Sequence, residues 1–204
     1  MIDPHNLPAG KMNSWYLEEW ILFGILVANK PAVRTAEKLE GFLKDLRENV
    51  VTRIRANQPP RNRLLSPFEL VFTTHCLGVL PEYLKKHRFG QYTRLSRALP
   101  QAASTLPTVG KNPGLTIEKL EAIPGIGMKT ARMLMLYWKP ETMAVPLDTH
   151  VLKYLGKLGY DVPKNTPTGR RYLELEQAFI KEARKRRLSV IELDKKVWQA
   201  AAIR

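Results

Sequence analysis

The chain has 204 residues, 44% of them hydrophobic and 25% charged, a balance that supports one large domain or two small lobes with a core and argues against wholesale disorder. Lys and Arg number 33 against 19 Asp and Glu, a net charge of +14, which points to a polyanionic partner, either nucleic acid or an acidic membrane surface. The single cysteine, Cys76, excludes an intrachain disulfide, a Cys-ligated iron–sulfur cluster and a Cys-rich zinc site, and His5, His75, His87 and His150 show no paired metal-ligand spacing, so no metal is expected.

The opening stretch, MIDPHNLPAGKMNSW, has no apolar leader. The longest uncharged apolar run, Trp20 to Asn29, is about half of the ~20 residues that cross a bilayer. An intracellular protein, in cytoplasm, nucleoid or nucleus, is expected. Trp15, Leu17, Trp20, Ile21, Phe23, Gly24 and Val27 predict one buried helix that stops before Pro31. Ala32 to Leu46 is amphipathic, with Val33, Ala36, Leu39, Phe42, Leu43 and Leu46 on one stripe. The basic, Pro-containing segment Arg53 to Arg63 reads as an exposed loop, either solvated or in contact with phosphate.

Further helices are predicted over Ser66 to Thr74, Leu80 to Lys86 and Gln91 to Ser104, followed by a turn-rich linker from Thr108 to Gly114. A short helix starts at Thr116 and another at Met128; a third begins near Asp148, with His150 as helix-start packing or a hydrogen-bonding group. The last two run from Thr168 to Arg186 and from Ser189 to Ala202. No strand alternation or internal repeat is visible, and the fold class expected is all-α.

The most informative stretch is LEAIPGIGMKTARMLML, Leu120 to Leu136. A helix ends at Ile123, Pro124 starts a tight turn, and Gly125 and Gly127 supply backbone freedom before the next helix. Such a turn lets a phosphate approach backbone N–H groups at a helix start, here those of Gly125, Gly127, Met128 and Thr130. Lys129 follows the second glycine, and Asp148 stands in VPLDTHV beyond a Pro-containing loop. Each has a plain alternative: Lys129 as a phosphate contact, Asp148 as a helix N-cap.

This frame resembles the helix-hairpin-helix-GPD superfamily of DNA glycosylases, and the resemblance spans about Trp20 to Trp198. It implies two helical lobes (residues 1–29 with 148–204, and 30–147 carrying the hairpin at about 116–136) around a DNA-binding cleft, without an iron–sulfur cluster. It implies Lys129 as the nucleophile of a glycosylase and AP lyase, and Asp148 as an essential carboxylate. An attacking amine must be unprotonated, whereas free lysine titrates near ~10.4; a helix start in a partly desolvated cleft lowers that value. Asp148 would stabilise the charge that develops at the sugar C1′ or assist proton transfer.

Other segments bear on substrate. Asn29 and Arg34 have the spacing of residues that contact the estranged cytosine in the 8-oxoguanine branch, with a helix C-cap and a solvated arginine as the alternative. Gln91 or Tyr92 would wedge into the gap left by a flipped nucleotide, with Arg94 on phosphate and a core place for Tyr92 as the alternative. Trp20, Phe179 and Trp198 are candidates for the base pocket, or else core. The C-terminal half resembles the compact archaeal-type 8-oxoguanine DNA glycosylases. Endonuclease III-like relatives carry a C-terminal Cys cluster that this chain lacks, and adenine- or thymine-specific relatives lack a lysine at the Lys129 position.

The expectation is therefore a base-excision repair enzyme, a monomer acting on double-stranded DNA with a damaged base, without a membrane partner. It needs no cofactor, a monovalent cation at the hairpin being the one candidate guest. An oxidised-pyrimidine glycosylase without a cluster, and a non-enzymatic helix-hairpin-helix DNA-binding module, are the alternatives.

Overall fold

The computed structural model describes residues 2–4, 7, 10, 12–28, 30–55, 64–106 and 114–202, with backbone alone for 50–55 and 202. Ten α-helices are present and no strand occurs among the described residues: α1 (Ser14–Leu26), α2 (Ala32–Arg55), α3 (Pro67–Cys76), α4 (Leu80–Lys86), α5 (Tyr92–Thr105), α6 (Ile117–Glu121), α7 (Met128–Trp138), α8 (Thr149–Lys157), α9 (Gly169–Lys185) and α10 (Val190–Ala202), with one 3-10 turn at Pro140–Thr142. The fold is all-helical. No described helix is long and apolar enough to cross a membrane.

Local chemistry explains the starts. Asn13 caps α1, its side chain accepting from Tyr16 N–H. Ser66 and Glu69 form a reciprocal capping box at α3, and Ser189 and Glu192 pair in the same way before α10. The second helix runs to Arg55, nine residues past the expected stripe end at Leu46 (55 − 46), because nothing from Arg47 to Arg55 breaks a helix until the Pro59–Pro60 pair. Val33, expected on the buried stripe, is 45% exposed, since it sits in the first turn of α2 ahead of the packed residues. The loop over 56–63 and the linker over 108–113 lie outside the described residues.

The chain divides into two compact units. The first comprises Met1–Leu7, Met12–Leu115 and Ala122–Ile126; the second comprises Pro8–Lys11, Thr116–Glu121 and Gly127–Arg204. This grouping puts α1 with α2 to α5 and both helices around the Pro-Gly turn with the C-terminal helices, a different division from 1–29 plus 148–204 against 30–147. In the first unit α1 is buried almost all round, as a central helix must be, and it packs on α2, α3 and α5 through Trp20, Ile21, Leu22, Ile25 and Leu26. Its one buried charge, Glu18, accepts from Phe68 N–H at 3.0 Å, and burial raises its pKa. In the second unit α10 packs on α7, α8 and α9, with Val151, Leu155, Leu175, Phe179, Leu193 and Val197 in the core.

Candidate active site

The segment between α6 and α7 is closed by Ile126 N–H donating to the Ile123 carbonyl at 3.0 Å. Gly125 has φ +92°, and a Cβ there would fall 2.5 Å from Nη1 of Arg94. Only glycine suits both conditions. Gly127 differs from expectation: at φ −93° and ψ 178° it is ordinary extended backbone, so it supplies no special freedom. What its missing side chain leaves is space, for nothing lies within 4 Å of where a Cβ would stand. Gly127 is the N-cap of α7 and has no side-chain capping bond.

Lys129 and Thr130 are half-buried in that first turn. Met128 turns to α9 instead, its sulfur accepting from Gly169 N–H at 3.2 Å.

Asp148 is 9% exposed and is the N-cap of α8. Its Oδ1 accepts from His150 N–H at 2.8 Å and Val151 N–H at 2.9 Å. Both bonds use the same oxygen, and no hydrogen bond among the described residues engages Oδ2. Capping therefore orients the carboxylate and leaves one oxygen available.

A second acid was not read from the sequence. Asp194 on α10 is 1% exposed; Tyr137 donates its hydroxyl to Oδ2 at 3.3 Å, and Oδ1 has no partner among the described residues. Burial, then the charge of Asp148, pushes Asp194 up to about 7, against the pull of Tyr137, Lys129 and Lys195. The charges of Lys129 and Asp148 thus both act on one buried carboxyl. The available signal was an acid between Leu193 and Val197 on the buried stripe of α10. Four residues on, the Trp198 ring packs tilted against His150, with centroids 4.6 Å apart and planes at 57°, and stays 46% exposed.

The remaining candidates lie as follows. Trp20 (1% exposed) and Phe179 (0%) are sealed in the cores of the first and second units, so neither ring offers a free face. Arg34 is exposed in the first turn of α2, and Asn29 lies outside the described residues. Gln91 is exposed in the left-handed region at φ 47°, Tyr92 is half-buried at the start of α5, and Arg94 ties Gln91 inward, donating to Gln91 Oε1 at 2.6 Å and to the Ile25 carbonyl at 3.0 Å. Close by, burial lowers the pKa of Lys30, and the like charges of Arg94 and Lys38 lower it further. Crowded cations of this kind suit a polyanion. Among the described residues no group of three or more His, Cys, Asp or Glu could hold a metal ion.

No protein-family model matches the chain.

Proposed function

We propose that the protein is a bifunctional DNA glycosylase and AP lyase of base-excision repair, which removes an oxidised base, 8-oxoguanine before others, and then nicks the strand. The observation that carries this reading is that Asp148, nearly buried at the N-cap of α8, keeps Oδ2 out of its capping bonds, while Lys129 stands half-buried in the first turn of α7, whose start has no side-chain cap. The lysine amine attacks C1′ as the glycosidic bond breaks and its electron pair leaves with the base. The sugar opens to a Schiff base, and loss of a C2′ proton expels the 3′ phosphate. The Asp148 oxygen not used in capping stabilises positive charge at C1′. Open space at Gly127 and the uncapped start of α7 suit a phosphate, and the cations around Lys30 suit the backbone of DNA. The helical DNA cleft, the hairpin, a monovalent cation at its turn, a monomeric state and an intracellular site of action belong to the same proposal.

Borohydride trapping on a duplex with one 8-oxoguanine opposite cytosine tests it. A covalent adduct is expected with the wild type and none with Lys129→Gln. If Lys129→Gln excises and nicks unchanged, the mechanism is wrong. An adduct on abasic DNA or an oxidised pyrimidine, with none on 8-oxoguanine, would keep the lyase and move the substrate.

One observation favours a second reading, a DNA-binding module without catalysis: the two capping bonds of Asp148 are what any α8 N-cap would make. That reading requires salt-sensitive duplex binding, no lesion preference and no adduct on any substrate.

A further inference from the structure

We infer that Tyr172 and Glu176, held by Arg132, are positioning residues that fix the backbone delivering Asp148. The inference rests on the reading that Asp148 takes part in the chemistry. The segment before it is irregular, yet Val145 and Leu147 are 0% exposed. Buried backbone polar groups must find partners, and here two side chains of α9 supply them. Glu176 Oε1 accepts from Val145 N–H at 2.9 Å. The Tyr172 hydroxyl accepts from Leu147 N–H at 2.9 Å and donates to the Val145 carbonyl at 2.7 Å. Pro146, between them, has no N–H to give, and its carbonyl accepts from Asp148 N–H at 2.8 Å.

Tyr172 and Glu176 are four residues apart, so they share one face of one helix and grip both sides of Pro146 together. Arg132 fixes the grip. Its Nε donates to both Glu176 oxygens at 3.0 and 3.1 Å, its Nη1 to Glu121 at 2.5 Å, and its guanidinium lies 4.7 Å over the Tyr172 ring. Burial disfavours the Arg132 cation, but Glu176 and Glu121 outweigh it and hold its pKa above the usual range. Arg132 stands one turn beyond Lys129 on α7, so a single guanidinium ties the helix of Lys129 to the segment carrying Asp148. Apolar side chains of similar volume could stand in for the ion pair alone. They could not hold three backbone groups.

The test uses the full chain with Tyr172→Phe, Asp148→Asn and the double variant. Three readouts are single-turnover excision of 8-oxoguanine, affinity for the same duplex, and amide hydrogen exchange at Leu147, His150 and Val151. Tyr172→Phe is expected to slow excision roughly ten- to a hundredfold with duplex affinity unchanged, to speed exchange at Leu147, and to add nothing in the Asp148→Asn background. Equal slowing in both backgrounds, or unchanged exchange at Leu147, overturns the inference. Should Tyr172→Phe fail to fold, Glu176→Gln takes its place in the same cycle: it removes the charge that Arg132 grips and leaves Val145 N–H a weaker amide acceptor, so faster exchange at Val145 is expected; equal slowing in both backgrounds, or unchanged exchange there, again overturns the inference. A wild type that neither excises nor traps refutes the enzymatic reading, and exchange at Leu147, His150 and Val151 then decides the positioning claim alone.

Discussion

Two irregular segments hold their shape by opposite means. In the second unit, residues 144–148 are buried, and side chains from α9 satisfy the polar backbone on either side of Pro146. In the first unit, the turn before α5 places Arg88, Gly90 and Gln91 at φ 52°, 67° and 47°, and it is pinned largely from the surface. Lys38 donates to the Arg88 carbonyl at 2.7 Å, His87 donates to Asp45 at 2.7 Å, and the buried Phe89 ring packs edge-on against Phe42 at 5.5 Å. A buried coil needs dedicated internal partners, because each orphaned group costs about 1–3 kcal/mol. An exposed turn has water to fall back on, so it tolerates left-handed residues that a few contacts hold in place.

The comparison breaks most visibly at Arg132. Arg132→Ala strands the buried Glu176 carboxylate and is expected to cost about 3–5 kcal/mol by denaturant unfolding, and to release Val145 N–H. Next comes Asp194→Asn. In the wild type the folded state holds the Asp194 proton up to about 7, whereas the unfolded chain gives it up near ~3.9. Wild-type stability from this group is therefore whole at low pH and is lost as pH rises through that window. The variant has no such slope, so it should gain on the wild type by a few kcal/mol between about pH 4 and 7. Thermal melts of both proteins across that range check the sign.

How much of this the sequence told is uneven, for physical reasons. The bounds of α4 and α7 and the capping place of Asp148 follow from Pro, Gly and Asp chemistry that acts over three or four residues. Tyr172, Glu176, Arg132 and Asp194 were not legible as a network. Each sits on an otherwise apolar helical stripe, and what satisfies it comes from distant chain. A buried Glu and a solvated Glu look alike in one sequence; only packing separates them. Gly127 erred the other way, since a G-x-G pattern suggests two special conformations and only Gly125 has one.

Smaller changes sharpen the surface side of the contrast. Gly125→Ala must adopt φ +92° and displace Nη1 of Arg94, and a loss of about 1–2 kcal/mol is expected. Arg88→Gly keeps the carbonyl that Lys38 holds and relieves the left-handed strain at φ 52°. A gain of about 0.5 kcal/mol in unfolding free energy is expected. A loss instead would mean that the exposed turn, like the buried coil, depends on its side chains.

The hydrogen bonds from α9 to the Val145–Leu147 segment also have a sequence distance, spanning 31, 25 and 27 residues. A chain emerging from a ribosome has Lys129 and Asp148 at hand well before Tyr172 and Glu176 exist. Local helices form early, but contacts of this separation close a loop first and come later. The geometry around Asp148 is thus among the last parts of the second unit to be completed, and a nascent chain carries both Lys129 and Asp148 before it carries the arrangement that ties their segments together.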